Sequence, residues 1–174
     1  HVLPIPNTFS GPFQGPDAAG QYAAEAADLI QQIGGGDQTL AGCLLEIFPS
    51  VGGQLIPPPG YLQALDQAVK AQGGLLIADE VQTGMGRLGS HFWAFEQQGL
   101  QPDIVVLGKP IGNGHPMGAV ITRKEIADAF SNGMEFFSTF GGSTVSCAAG
   151  KAVLEVIEQE KLNERAAKTG AIML

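Results

Sequence analysis

Leu75-Leu-Ile-Ala-Asp79 and Asp103-Ile-Val-Val-Leu-Gly-Lys109 decide the fold. Each is a short apolar run without polar alternation. A strand with one wet face alternates, whereas a strand covered on both faces of a parallel sheet reads as continuous apolar residues. Each run also delivers one charged residue at its C-terminal end: Asp79 in the first, Lys109 in the second. In parallel sheets that edge is where ligands bind.

Outward from these two strands, the pattern alternates. Asp17 is placed to cap a helix through Tyr22–Ile33 that stops at Gly34-Gly-Gly36. Ala41–Phe48 is short, apolar and partly β-branched, so it reads as a strand. Pro57-Pro-Pro59 precedes a helix over Tyr61–Ala71, which ends at Gly73-Gly74. His91–Gln98 reads as a short helix, Ala119–Thr122 as a further strand and Lys124–Phe130 as a helix. Thr144 begins a long helix reaching about Leu162. Strands alternating with helices predict an α/β fold with a mostly parallel sheet flanked by helices.

Size and composition agree. The 174 residues suffice for one α/β domain with a core, and 44% hydrophobic against 15% charged residues suits a globular interior. A net charge of −8 argues against broad binding to nucleic acid or anionic lipid, which need clustered cations. Four of the nine Lys and Arg residues (Lys151, Lys161, Arg165, Lys168) fall on a C-terminal stretch that reads as a solvated helix. Cys43 and Cys147 lack CxxC spacing or a nearby His and read as two buried, reduced thiols; no metal site is expected. No signal peptide or membrane-length apolar run is visible, so a cytoplasmic enzyme is the expectation. His1-Val-Leu-Pro-Ile-Pro6 and Ala171-Ile-Met-Leu174 both read as cut ends.

Two motifs mislead. Gly84-Met-Gly-Arg-Leu-Gly89 satisfies GxGxxG, but a dinucleotide fold needs the glycines in the strand-to-helix turn and an acidic residue ending the next strand. Here Glu80-Val-Gln-Thr83 intervenes, and Asp103 begins its strand. Gly108-Lys109 resembles a P-loop ending only superficially, because Pro110 occupies the position of the magnesium-binding hydroxyl.

Lys109 is the only cation between Arg87 and Arg123 and is flanked by Gly108, Pro110 and Ile111. Desolvation there would make a neutral amine available to attack a carbonyl. From spacing alone, Asp79 and Lys109 are equally compatible with a structural salt bridge, or Lys109 with a side chain reaching out to water.

The surrounding residues add a resemblance. Asp79-Glu-Val-Gln-Thr-Gly-Met-Gly-Arg-Leu-Gly89, Pro102–Lys109, Gly112-Asn-Gly-His-Pro116 and Ser138-Thr-Phe-Gly-Gly142 closely resemble the class III aminotransferases, pyridoxal-phosphate enzymes of fold type I. Ala41–Glu46 and Gly52–Pro57 extend the match. The resemblance implies that Asp79 sits against the cofactor's pyridine nitrogen and keeps it protonated. Val81 would pack on the ring face and Gln82 would hydrogen-bond near the phenolic oxygen. Lys109 would form the internal aldimine and then move the α-proton as general base. Thr139 would bind the cofactor phosphate of a neighbouring subunit, which requires a homodimer. Apart from the resemblance, Arg87 reads as bracing its own loop and not as a substrate contact.

Gly108–Pro116, His91-Phe-Trp-Ala-Phe95, Gly52–Pro58 and Gly133–Gly142 look like the branch containing the ethanolamine-phosphate and 5-phosphohydroxylysine phospho-lyases. His115 is then a candidate contact for substrate phosphate, or a loop histidine locked before Pro116. Glu46 is a second candidate substrate contact, although Glu46-Ile-Phe-Pro49 departs from the common Glu-Pro. Ser143-Thr144 replaces a common Asn-Pro, with Thr144 available as a cap. The family's upstream cofactor-phosphate loop and C-terminal small domain have no counterpart, so residues 1–174 would be a partial large domain. The expected reaction is amino transfer between an amine or amino acid and a keto acid. The alternatives are phosphate elimination from a phospho-amine, a catalytically incompetent piece, and a separate nucleotide-binding module disfavoured by the glycine context.

Overall fold

The computed structural model describes residues 1–35 and 39–173. The elements are α1 (Ala18–Gly34), β1 (Gly42–Glu46), α2 (Tyr61–Ala71), β2 (Leu75–Asp79), α3 (Ala94–Gln97), β3 (Ile104–Leu107), a one-turn 3-10 helix (Lys109–Gly112), β4 (Ala119–Thr122), α4 (Lys124–Phe130), α5 (Thr144–Gln159) and α6 (Leu162–Met173). Gly36, the last residue of the expected stop after α1, and Leu174 lie outside the described residues. The strands form one mixed sheet flanked by helices, in the order β1-β2-β3-β4. None of the described helices is long and apolar enough to cross a membrane.

The chain divides into two compact units, His1–Ala78 with Phe95–Pro102, and Asp79–Ala94 with Asp103–Leu174. In the first, α1 buries Ala18, Tyr22, Ala26 and Ile30, a four-residue spacing that lines up one face of a helix. α2 buries Tyr61, Leu62, Leu65 and Val69 and packs against α1. Phe13, Tyr22 and Tyr61 meet edge to face, with centroids 5.0 and 6.3 Å apart. The Tyr22 hydroxyl donates to the Asn7 carbonyl at 2.9 Å, which fixes the N-terminal loop on α1. Asp17 stands at the α1 N-cap position, but its side chain makes no capping hydrogen bond.

In the second unit, β3 and β4 pair antiparallel, with Val105 opposite Ile121 and Leu107 opposite Ala119. This pair is antiparallel in a sheet expected to be mostly parallel. A parallel return needs a crossover, usually helical, of a dozen or more residues, and residues 108–118 hold only the one-turn 3-10 helix. The helix expected from Thr144 to about Leu162 runs to Gln159, and a second helix, α6, follows it. Lys161 separates the two with φ +51°, a left-handed conformation that an α-helix does not continue through. The cap of α5 is Ser143 and not Thr144, since its hydroxyl accepts from the Ser146 amide. The cysteines also differ from expectation: Cys43 is half-buried and Cys147 exposed. α5 buries only Gly150, so this helix has no apolar cover to offer a thiol at 147. Lys151, Lys161, Arg165 and Lys168 are exposed as expected, although spread over two helices and the break between them.

Candidate active site

Asp79 and Lys109 are brought together by backbone and side-chain contacts of the segments that carry them. β2 ends at Asp79, and the next amide, Glu80 N, donates to the Val106 carbonyl of β3 at 3.0 Å. One residue further, Val81 packs on the residue before the lysine. A Cβ added at Gly108 would lie 3.3 Å from one Val81 methyl and 3.4 Å from the other. The end of β2 therefore lies beside the end of β3, with Val81 in contact with the residue that precedes Lys109.

Asp79 is half-buried and pre-oriented. Its Oδ1 accepts from the Val81 amide at 2.9 Å, closing a local turn of the kind Asp side chains favour. Its Oδ2 has no hydrogen-bond partner among the described residues. Lys109 opens the 3-10 helix with φ +35°, a left-handed conformation that is uncommon for a residue bearing a side chain. It is exposed, so this chain does not supply the desolvation expected of it. The side chain stands past the strand end, where neither β3 nor its neighbours cover it. No salt bridge joins Asp79 to Lys109 among the described residues, and the Lys109 amine has no partner there. The structural ion pair is therefore not formed; one carboxylate oxygen and one amine remain uncommitted at the same sheet edge.

Behind Asp79, Glu80 is fully buried and its carboxylate accepts from the Thr83 hydroxyl at 2.6 Å. The Gly84 amide closes the same turn onto the Glu80 carbonyl at 3.0 Å. Two hydrogen bonds thus fix residues 80–84, and with them Val81 and Gln82, both half-buried. Nothing in the sequence distinguished Glu80 from its acidic neighbour, because burial of one of two adjacent carboxylates is decided by packing.

The glycines of the misleading GxGxxG have a packing role. Added Cβ atoms would lie 3.1 Å from the Trp93 ring at Gly84, 1.8 Å from the Asn163 side chain at Gly86 and 2.5 Å from the Ala167 backbone at Gly89. Gly84 makes room for the Trp93 ring, and Gly86 and Gly89 let the loop approach α6. Asp103 is buried and ion-paired with Arg123, and the Thr122 hydroxyl donates to its carbonyl, so it anchors the β3–β4 pair and serves no ribose. Arg87 is exposed and makes no hydrogen bond or ion pair among the described residues.

His115 follows the 3-10 helix, half-buried, with its Nε2 2.8 Å from the Ser146 hydroxyl of α5. The sequence reading missed Ser146, which no local pattern singles out, because its partner His115 lies 31 residues away in the chain. Thr139 is exposed, in a segment (131–142) that is exposed throughout and carries Met134, Phe136, Phe137 and Phe140. Glu46 belongs to the first unit. Its Oε2 accepts from both the amide and the hydroxyl of Ser50 at 3.2 Å, which holds the turn after β1. In that unit an apolar cavity of about 600 Å³ is lined by residues that include Leu29, Cys43 and Tyr61. Burial pushes the Cys43 thiol up, and raises the Tyr61 phenol to about 12, with Cys43, Glu25 and Tyr22 adding to the effect.

Residues 2–174 match the family model for aminotransferase class III. An alanine–glyoxylate aminotransferase 2-like protein of Drosophila melanogaster is 47% identical over 180 residues, covering all of this chain and 36% of that protein. Ethanolamine-phosphate phospho-lyase homolog 1 of Caenorhabditis elegans is 40% identical over 183 residues, covering 98% of this chain and 39% of that protein. Among solved structures, a phospholyase from Arthrobacter in complex with phosphoethanolamine superposes with a TM-score of 0.89 at 38% identity, covering 99% of this chain and 41% of that one. The chain spans less than half the length of these relatives, and its architecture is that of fold type I. With this match along nearly its whole length, the chain belongs to the class III aminotransferase family.

Proposed function

We propose that this chain carries the cofactor lysine and ring-nitrogen carboxylate of a pyridoxal-phosphate-dependent aminotransferase. The observation that carries the reading is the pairing of an uncommitted Asp79 Oδ2 with an uncommitted Lys109 amine at adjacent strand ends, with Val81 packed on Gly108 between them. These residues fit the cofactor. A carboxylate fixed by one oxygen leaves the other to accept from a protonated ring nitrogen, and an exposed primary amine is free to bond an aldehyde carbon. When bound, pyridoxal phosphate supplies a ring that draws in the electron pair released when the substrate's α-carbon loses its proton.

The chain's residues then divide the work. Asp79 holds the ring nitrogen's proton, its orientation set by the Val81 amide. Val81 presents its methyls to one ring face, and Gln82 donates near the phenolic oxygen. Lys109 holds the cofactor covalently, gives way to the substrate amine and, as a free amine, takes the α-proton. Thr139 serves the cofactor phosphate of a second copy in a homodimer. The exposed Met134–Phe140 segment supports this, because four large apolar side chains in so short a stretch are the composition of a surface that gets covered. An amine or amino acid and a keto acid are the substrates in this reading, and the cytoplasm its setting, to be checked by cell fractionation.

The phosphoethanolamine-bound phospholyase supports a second reading, elimination of phosphate from a phospho-amine, with His115 on the substrate side. Both reactions begin with the same proton removal by Lys109, so the residues around it serve either.

The test uses the full-length protein. With pyridoxal phosphate it is expected to be yellow, and borohydride is expected to bleach it and leave the label on a Lys109 peptide. Label on Lys70, or none, refutes the assignment. Phosphate release from phosphoethanolamine, set against glyoxylate-dependent amino transfer from L-alanine, separates the two reactions.

A further inference from the structure

We infer that Ser146 is a positioning residue for Lys109, acting through His115; the inference rests on Lys109 being the cofactor lysine. Lys109 sits in a turn of unfavourable backbone, with φ +35° at Lys109 and +44° at Asn113. A lysine adopts such an angle uncommonly and keeps it where the surroundings impose it, whereas asparagine tolerates it. Local hydrogen bonds make the turn one connected piece: Ile111 N to Gly108 O at 3.1 Å, Asn113 N to Pro110 O at 3.0 Å and His115 N to Gly112 O at 2.9 Å. What holds the piece in place is α5, at two points.

The first point is apolar. Met117 lies over Gly150, where an added Cβ would meet its terminal methyl at 2.8 Å, and Ile111 is buried close by. The second is polar, the 2.8 Å contact between His115 Nε2 and the Ser146 hydroxyl. Ser146 is itself anchored, because its amide donates to the capping Ser143 hydroxyl. The apolar contact fixes the distance between turn and helix. The directional hydrogen bond fixes the rotation of the turn, and so where the Lys109 side chain emerges. A hydroxyl three residues into α5 thereby sets the aim of an amine at the end of β3.

The experiment compares Ser146→Ala, Ser146→Thr, His115→Ala and the Ser146→Ala/His115→Ala double variant in the full-length holoenzyme. For Ser146→Ala we expect a shift in the pH midpoint of the cofactor's visible band and slower appearance of borohydride-trapped label on Lys109 after cofactor is added back. We also expect kcat to fall roughly three- to tenfold, the size of one lost hydrogen bond, with KM for L-alanine or phosphoethanolamine little changed. Ser146→Thr, which keeps the hydroxyl, should restore all of these. The double variant should be no worse than His115→Ala alone, since both changes cut the same tether.

A lowered unfolding midpoint with unchanged band, labelling rate and kcat would reduce the contact to a structural one and overturn the inference. A raised KM at constant kcat would make His115 a substrate contact instead, which also overturns it. Additive single effects would show two independent residues. Wild-type protein that takes no label on Lys109 refutes the underlying cofactor reading, and that outcome is distinct from a labelled wild type with unaffected variants.

Discussion

Gly108→Ala tests the contact on which the site's geometry turns. The φ of Gly108 is −159°, extended backbone open to alanine, so the substitution carries no left-handed penalty. Its effect is steric: the new methyl would stand 3.3 and 3.4 Å from the two Val81 methyls and 3.9 Å from its Cβ. Valine has little χ1 freedom with which to yield, so the backbone of residues 80–82 or of 108 has to move by a few tenths of an ångström. Overpacking of this kind costs about 1–3 kcal/mol, and contact at a single residue belongs at the low end, about 1 kcal/mol. Because Val81 would form one face of the ring site, that cost should appear as cofactor affinity weakened about fivefold. The assay is a titration of the apoprotein with pyridoxal phosphate followed by its visible band, alongside a denaturant unfolding curve. Val81→Ala removes both clashing methyls, so in the double variant the penalty of Gly108→Ala should largely vanish. Affinity unchanged by Gly108→Ala, or effects that simply add in the double variant, would refute the proposed approach of the two strand ends.

Asp79→Asn keeps the shape but removes the charge from the ring-nitrogen position. A charge-assisted hydrogen bond of about 1.5–3 kcal/mol predicts kcat lowered roughly tenfold or more, and near-normal turnover would exclude Asp79 from that role. Thr83→Val deletes a 2.6 Å donor to the fully buried Glu80 carboxylate with little change of volume. It should lower stability by about 1–3 kcal/mol in denaturant unfolding, and an unchanged curve would show that Thr83 does not hold the turn. Tyr61 supplies a pH dependence. Its phenol is raised from 10.0 to about 12, chiefly by burial, so the fold favours the neutral form. That stability is fully present below pH 10 and is lost as pH rises from there through 12. Tyr61→Phe should flatten this alkaline limb of the unfolding profile; an identical limb in both proteins would mean another group is responsible.

The strands were legible because each carries its own signature. Leu75–Asp79 and Ile104–Leu107 are continuous apolar runs, and α1 and α2 show helical spacing of apolar residues closed by glycine. Motif order also identified the family, through residues that form elements along most of the chain. Less legible were features in which two local preferences compete. Ser143 and Thr144 are both good caps, and only the amide of Ser146 shows which one serves. The helix from Thr144 reads to about Leu162 and not to Gln159 because no glycine or proline marks the turn at Lys161, whose backbone is left-handed.

The sequence by itself determined the succession of elements and the identity of the two charged residues at the strand ends, since both follow from side-chain chemistry within a few residues. Tertiary structure alone decided which contacts those residues make. It left Asp79 and Lys109 unpaired, buried Glu80 in place of its neighbour, set Val81 against Gly108 and tied His115 to a serine distant in the chain. The physical reason is range: propensity and periodicity act between near neighbours, whereas burial and hydrogen-bond partnership depend on which segments the fold brings within a few ångströms.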